Sequence, residues 1–154
     1  IDSAAVQRAF SDVMASVRSF KPDAKLNGCL VQECVKGSVV EILIGVSPSP
    51  MGPLVTVGLG GIFVEVFKDV SQRLAPLTTD DASAMIAELR GFKLLTGVRG
   101  HKPADIEALA EVVAQVSRLA VQWPGRWELD LNPVLVMAAG QGCRIADALL
   151  VLKS

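Results

Sequence analysis

The chain has 154 residues, 51% of them apolar and 20% charged, which is long and apolar enough for one packed domain. Its formal net charge of −1 excludes the large positive excess expected of a nucleic-acid or anionic-membrane binder. No apolar run reaches the ~18 residues that would read as a bilayer-spanning helix.

Taken in order, residues 3–20 read as an amphipathic helix with Ser3 as its N-cap. Val6, Phe10, Val13, Val17 and Phe20 form one apolar stripe, and Pro22 ends it. After a polar connector, Leu26–Val35 reads as a strand, Lys36-Gly37-Ser38 as a tight turn, and Val39–Val46 as a second strand, which together predict an antiparallel hairpin. Glu33 and Glu41 are the two charges inside these apolar runs. Each either faces solvent or has a partner. Ser47–Pro53 carries three prolines and is expected to be a stiff loop. Leu54–Phe67 reads as two β runs around Gly58-Leu59-Gly60-Gly61. This is not a dinucleotide fingerprint, because the spacing is G-x-G-G and a β-branched, aromatic run follows where a helix should. Gly60 and Gly61 allow a bulge or a close approach of ligand phosphates to the backbone, or simply a turn.

Lys68–Leu77 is polar and ends at Pro76-Leu77. Thr78, with Asp81 three residues on, forms a capping-box pattern for a helix whose apolar face is Ala82, Met85, Ile86 and Leu89 and whose end is Gly91. The following loop to Pro103 carries Arg90, Lys93, Arg99 and Lys102, a set suited to an anion or merely to solvent. The one histidine, His101, sits in this loop and reads as solvated. Pro103 is expected in the first turn of a helix buried through Ile106, Leu109, Val113, Val116, Leu119 and Ala120. Trp123-Pro124-Gly125 breaks it. Trp127–Met137 and Cys143–Leu152 read as strands joined by the turn Ala139–Gly142. The whole pattern is α+β, with helices on one face of a mostly antiparallel sheet.

The last hairpin holds the most chemically loaded stretch, Glu128-Leu129-Asp130-Leu131-Asn132-Pro133. Strand residues two apart point the same way, so Asp130 and Asn132 share a face, and the hairpin returns Asp147 beside them. Carboxylate and amide oxygens gathered in this way suit Mg²⁺ with a nucleotide. The same residues also read as the polar end of a strand, since Asx-Pro pairs mark turns. Cys29, Cys34 and Cys143 fit no zinc spacing and read as reduced core residues of a cytoplasmic protein. The chain begins at Ile1, shows no signal peptide, and reads as a fragment of a larger protein.

Four stretches in this order carry a family resemblance. They are Leu30-Val31-Gln32-Glu33; Gly58–Glu65 with Arg73-Leu74-Ala75-Pro76-Leu77; Gly97-Val98-Arg99-Gly100; and Glu128–Pro133 with Asp147. Over nearly its whole length, residues 1–154, the chain resembles the C-terminal half of the ATP-grasp domain of the NDP-forming (ADP-forming) acyl-CoA synthetases, relatives of the succinyl-CoA synthetase β subunit. The resemblance implies that the end of the first strand, up to Val35, holds adenine, with Glu33 on the adenine side and Glu41 at the ribose hydroxyls. Gly60 and Gly61 would lie near the phosphates. Asn132 and Asp147 would ligate Mg²⁺, with Asp130 as ligand or support. Arg73 and Arg99 become candidates for anion contact. The implied reaction forms acyl-CoA from acid, CoA and ATP through a phosphohistidine located elsewhere, so the partners are nucleotide and CoA-binding domains of the same or another chain. His101 does not match that histidine. Two departures stand out. Ser47–Pro53 lacks the charges that relatives carry after the first hairpin, and Leu149 stands where relatives place Arg. They leave open a catalytically degenerate structural or regulatory module.

Overall fold

The computed structural model describes residues 2–37, 39–61, 68–98, 100, 102–123 and 125–153. The chain divides into two units, Ile1–Cys34 and Val35–Ser154.

The first unit is built on helix α1, Ser3–Phe20. Its cap is Asp2 rather than the expected Ser3: Asp2 is extended, and its Oδ1 accepts the Ala5 N–H at 2.6 Å. The apolar stripe is present but open, from Val17 at 36% to Phe20 at 91% exposed, and α1 buries no residue. Residues 24–37 form no strand, against the expectation for Leu26–Val35. The predicted hairpin therefore does not exist. Its would-be second strand already has a neighbour on each edge, as described next. Cys29 and Cys34 are exposed rather than in the core. Within this unit, Val6, Phe10 and Val13 of α1 and Leu30 and Val31 line an apolar groove of about 810 Å³.

Among the described residues the second unit holds a six-stranded antiparallel sheet. Its strands are β1 (Val40–Ser49), β2 (Gly52–Leu59), β3 (Val70–Leu74), β4 (Arg126–Val136), β5 (Cys143–Ile145) and β6 (Ala148–Lys153). The order is β3-β2-β1-β4, and the far edge of β4 is shared by β5 and β6. The expected stiff loop at Ser47–Pro53 is mostly strand: β1 and β2 are joined by Pro50 and Met51 alone. Pro48 lies directly opposite Pro53. Antiparallel pairs alternate between bonded and non-bonded, so two residues without an N–H can face each other at no cost to the ladder. Residues 62–67, which the sequence reads as β, lie outside the described residues.

Strand β3 is not marked in the sequence because its inward positions are polar. Ser71 is buried and its Oγ donates to Glu88 Oε2 at 2.7 Å, while Arg73 pairs with the other oxygen of the same carboxylate. Arg73, a candidate for anion contact, is thus engaged in tying this strand to the end of a helix. That helix, α2 (Thr79–Ala87), has the predicted capping box: Thr78 Oγ1 accepts the Asp81 N–H at 3.1 Å and Asp81 accepts the Thr78 N–H at 3.0 Å. It ends at Ala87 with Glu88 as its C-cap, before Gly91. Gly91 serves packing instead, since a Cβ there would lie 2.1 Å from Leu59 Cδ1. Helix α3, Ile106–Gln122, starts later than Pro103 would place it. Asp105 is the cap, with Oδ1 accepting the Ala108 N–H at 3.1 Å and Oδ2 the Gly142 N–H at 2.7 Å. Leu119, expected in the buried face, is 41% exposed.

Both α2 and α3 cover one face of the sheet. Ile42, Ile44 and Val46 of β1 and Val55, Val57 and Leu59 of β2 meet Met85 and Ile86 of α2 and Leu109 and Val113 of α3 in a single core. Ser117 of α3, fully buried, accepts the Leu77 N–H at 2.7 Å. Odd and even positions along β1 therefore separate a core face from an outer face, and the outer face carries the polar residues discussed next.

Candidate functional site

On β1 the outer face begins at Glu41, which is exposed while Ile42 is fully buried. Glu41 stands at the end of β2, where its carbonyl accepts the Gly60 N–H at 2.7 Å. Gly60 is required there: a Cβ would come within 2.9 Å of both Glu41 Cβ and Glu41 O. Gly61 has φ 64°, the left-handed region that glycine enters freely, and a Cβ on it would lie 4.0 Å from Glu41 Oε2. These three residues therefore form one corner of the sheet.

Beside β1, β4 buries Trp127 and Leu131, and Asp130 and Asn132 are exposed. The alternation then breaks. Ile42 pairs with Val134 and Ile44 with Leu131, so β4 spends one more residue than β1 between the same two points. This is a β-bulge, and it lies at Asn132-Pro133, whose peptide bond is cis. The bulge returns Val134 and Val136 to the core and leaves Asn132 on the outer face beside Asp130. The Asx-Pro pair thus marks a bulge within a strand, not a turn.

The return strand, expected to be continuous from Cys143 to Leu152, is split at Ala146-Asp147 into β5 and β6. Its register on β4 is unbroken, with Leu131 opposite Ala148 and Val134 opposite Ile145. Asp147 accordingly lies opposite Asn132, and its carbonyl accepts the Asn132 N–H at 3.3 Å. Asp147 Oδ1 accepts the Ala148 N–H at 2.9 Å, which turns the carboxylate toward its own strand end. Among the described residues no three His, Cys, Asp or Glu side chains form a metal-ready group. The oxygen donors gathered here are two carboxylates and one amide. All three are hard oxygen donors of the kind Mg²⁺ accepts alongside water and phosphate.

Glu128, on the same face, is held by Lys153 at 2.9 Å. Gly45, facing Asp130 on one side and Thr56 on the other, leaves a dent in the outer face. With Glu128, Asp130 and Leu149 these residues line a groove of about 390 Å³. Leu149 faces Asp130 directly across β6 and β4, and is 60% exposed.

The fold therefore brings Glu41, Gly60 and Gly61 to one corner and Asp130, Asn132 and Asp147 to the neighbouring strands of the same outer face. Glu33 is exposed in the first unit, on a stretch without regular structure, and Val35 is half-buried at the start of the second. Arg99 and His101 lie outside the described residues. One residue the sequence does not reveal is Asp69, a carboxylate only 6% exposed that accepts the Arg90 and Gly91 N–H groups at 2.8 and 2.9 Å. Its partners are about twenty residues away, so no local pattern marks it.

The description "ATP-grasp domain" matches residues 1–152. The 4-hydroxybutyrate–CoA ligase (ADP-forming) of Nitrosopumilus maritimus is 44% identical over 147 residues, 95% of this chain and 21% of that protein. A structure of Ca. Korarchaeum cryptofilum acetyl-coenzyme A synthetase 1 in complex with coenzyme A, Ca-AMPCP and HgCl+ superposes with a TM-score of 0.85 at 41% identity. It covers 96% of this chain and 64% of that one. Another, of the same enzyme with coenzyme A and Mg-AMPPCP and its phosphohistidine segment pointing towards the nucleotide-binding site, gives a TM-score of 0.71 at 44% identity, covering 78% and 55%. The chain thus spans about a fifth of the ligase and under two thirds of the solved chains. With residues 1–152 matched and the sheet in common with solved relatives, the chain belongs to the ATP-grasp domain family.

Proposed function

We propose that residues 1–154 are the C-terminal subdomain of an ATP-grasp domain and supply the nucleotide- and Mg²⁺-binding part of an NDP-forming acyl-CoA synthetase. The observation that carries this reading is the placement of Asn132 at a bulge, directly opposite Asp147 and beside Asp130, on the face that also holds Glu41 and Gly60. Asn132 and Asp147 would hold the cation, with Asp130 as ligand or support. When bound, the cation neutralises charge on the nucleotide phosphates. The chain's own residues orient the nucleotide: Glu41 accepts hydrogen bonds from the ribose hydroxyls, and the exposed backbone of Gly61 leaves room for phosphate oxygens. Glu33 and Val35 belong to the adenine side in this reading. ATP, acid and CoA give ADP, phosphate and acyl-CoA by way of a phosphohistidine outside this chain. CoA-binding domains of the same or a partner chain complete the enzyme. That the solved relatives hold coenzyme A and a nucleotide analogue with Ca or Mg supports this assignment.

The test is calorimetric binding of Mg·ADP and Mg·ATP to the longer polypeptide that carries this chain. Asn132→Ala with Asp147→Ala is expected to weaken binding at least about tenfold, within the range lost when metal-site partners are removed. Unchanged affinity in the folded double variant sinks the metal assignment. A second reading, a degenerate module that binds nucleotide poorly, is favoured by Leu149 standing across from Asp130. It predicts that the unmutated protein binds Mg·ADP no better than the double variant.

A further inference from the structure

We infer that Asp69 is a positioning residue for the Glu41–Gly60 corner, an inference that rests on the reading just proposed. The β2–β3 register pairs Gly58 with Val70, which puts Leu59 level with Asp69 and Gly60 level with Lys68. On its other side Leu59 faces Ile42, and Gly60 bonds to Glu41. Asp69 thus stands one strand away from the residues that touch Glu41. Its main-chain carbonyl accepts the Leu59 N–H at 3.4 Å, and both carboxylate oxygens are used on the turn after α2, by Arg90 and Gly91. Gly91 in turn leaves no room between itself and Leu59, with 2.1 Å from a would-be Cβ to Leu59 Cδ1. The linkage runs from Asp69 to the 90–91 turn, from that turn to Leu59, and through Gly60 to Glu41.

Two features mark this as a fixed assembly. A carboxylate is costly to bury, and here it persists because two backbone donors satisfy it; removing it orphans both. Lys68, just before it, has φ 47°, the one positive value at a non-glycine position among the described residues. Such a conformation survives where the surroundings over-determine it. The linkage ends at an exposed carboxylate, Glu41, which contributes to the ligand face rather than to the core. Loosening it is expected to let Glu41 and the glycine turn shift, and small displacements of positioning groups are costly to binding and rate.

The experiment uses the longer polypeptide and reads Mg·ADP affinity by calorimetry and CoA affinity alongside. The variants are Asp69→Ala, Asp69→Asn and Gly91→Ala, with Glu41→Ala as the check on the site itself, each confirmed folded by circular dichroism at the assay temperature. Asp69→Ala is expected to weaken Mg·ADP about tenfold with CoA affinity unchanged. Asp69→Asn recovers part of the loss, because its amide oxygen still accepts one of the two N–H groups. Where Asp69→Ala does not fold, Gly91→Ala carries the same expectation and Asp69→Asn a smaller loss of Mg·ADP affinity, again with CoA affinity unchanged. Unchanged Mg·ADP affinity in these variants, with Glu41→Ala weakened, overturns the inference and leaves the site reading intact. An equal loss for nucleotide and CoA also overturns it, since general damage spares neither. Unchanged affinity in Glu41→Ala overturns the site reading, and the inference with it.

Discussion

Asp105 shows how much one side chain can hold. It caps α3 and, with its other oxygen, fixes the turn before β5 through the Gly142 N–H. Those bonds, first the one from Gly142 and then the one from Ala108, hold its carboxyl below the ordinary carboxylate range. A group whose folded pKa is depressed contributes stability above its unfolded value, and that contribution disappears as pH falls through the folded value. Urea unfolding is therefore expected to show a steeper loss of stability below about pH 4 in the natural protein than in Asp105→Asn. Asp105→Ala is expected to cost about 2 kcal/mol at neutral pH, the upper end for a lost N-cap, because a second donor is orphaned as well. Cys143 makes the opposite case. Burial first, and then nearby Asp105, push its thiol up to about 11, so at pH 8 it remains a thiol. Alkylation followed by mass spectrometry is expected to label exposed Cys29 and Cys34 well before Cys143. A labelling order with Cys143 first would contradict its environment.

At the scale of elements, local signals and the last hairpin are legible in the sequence, and the other pairings are not. The Thr78–Asp81 box was readable because both partners lie within four residues, and α1 and α3 were readable from periodicity. The hairpin drawn from Leu26–Val35 failed because an apolar run states only that it is apolar. Which edge it meets depends on its competitors: β2, the next strand in the chain, and β4, far away in sequence, take both edges of β1. Strand β3 was invisible because Ser71 and Arg73 face Glu88 where apolar residues would ordinarily face a core. The candidate site was legible where it depends on short-range alternation, at Asp130 and Asn132, and on a hairpin, at Asp147. The bulge beneath Asn132 was not, since it is a count relative to β1. Gly60 tests the contact between elements: Gly60→Ala must displace β1 backbone atoms, and is expected to cost about 1–3 kcal/mol in chemical denaturation. A neutral result would mean that β1 and β2 separate easily at this corner.

The whole molecule divides its stability unevenly. Among the described residues the core cluster contains none from the first unit, and α1 buries none. A lone helix of this length is marginal in water without a packed face. The segment 35–154 alone is thus expected to unfold cooperatively about its own core, whereas 1–34 alone gives little helical circular dichroism. A broad, non-cooperative transition for 35–154 would show that this unit does not hold its core by itself. Among the described residues no helix is long and apolar enough to cross a membrane.

The unbroken register of β5 and β6 on β4 has a further consequence. Residues 132 and 147 meet because they are equally far from the centre of the turn that joins their strands. The length of that turn therefore sets the geometry of the proposed site. One residue inserted between Gln141 and Gly142 would set Ala146 opposite Asn132 and send Asp147 to the other side of the sheet. The two side chains would then no longer share a face, although both would still be present.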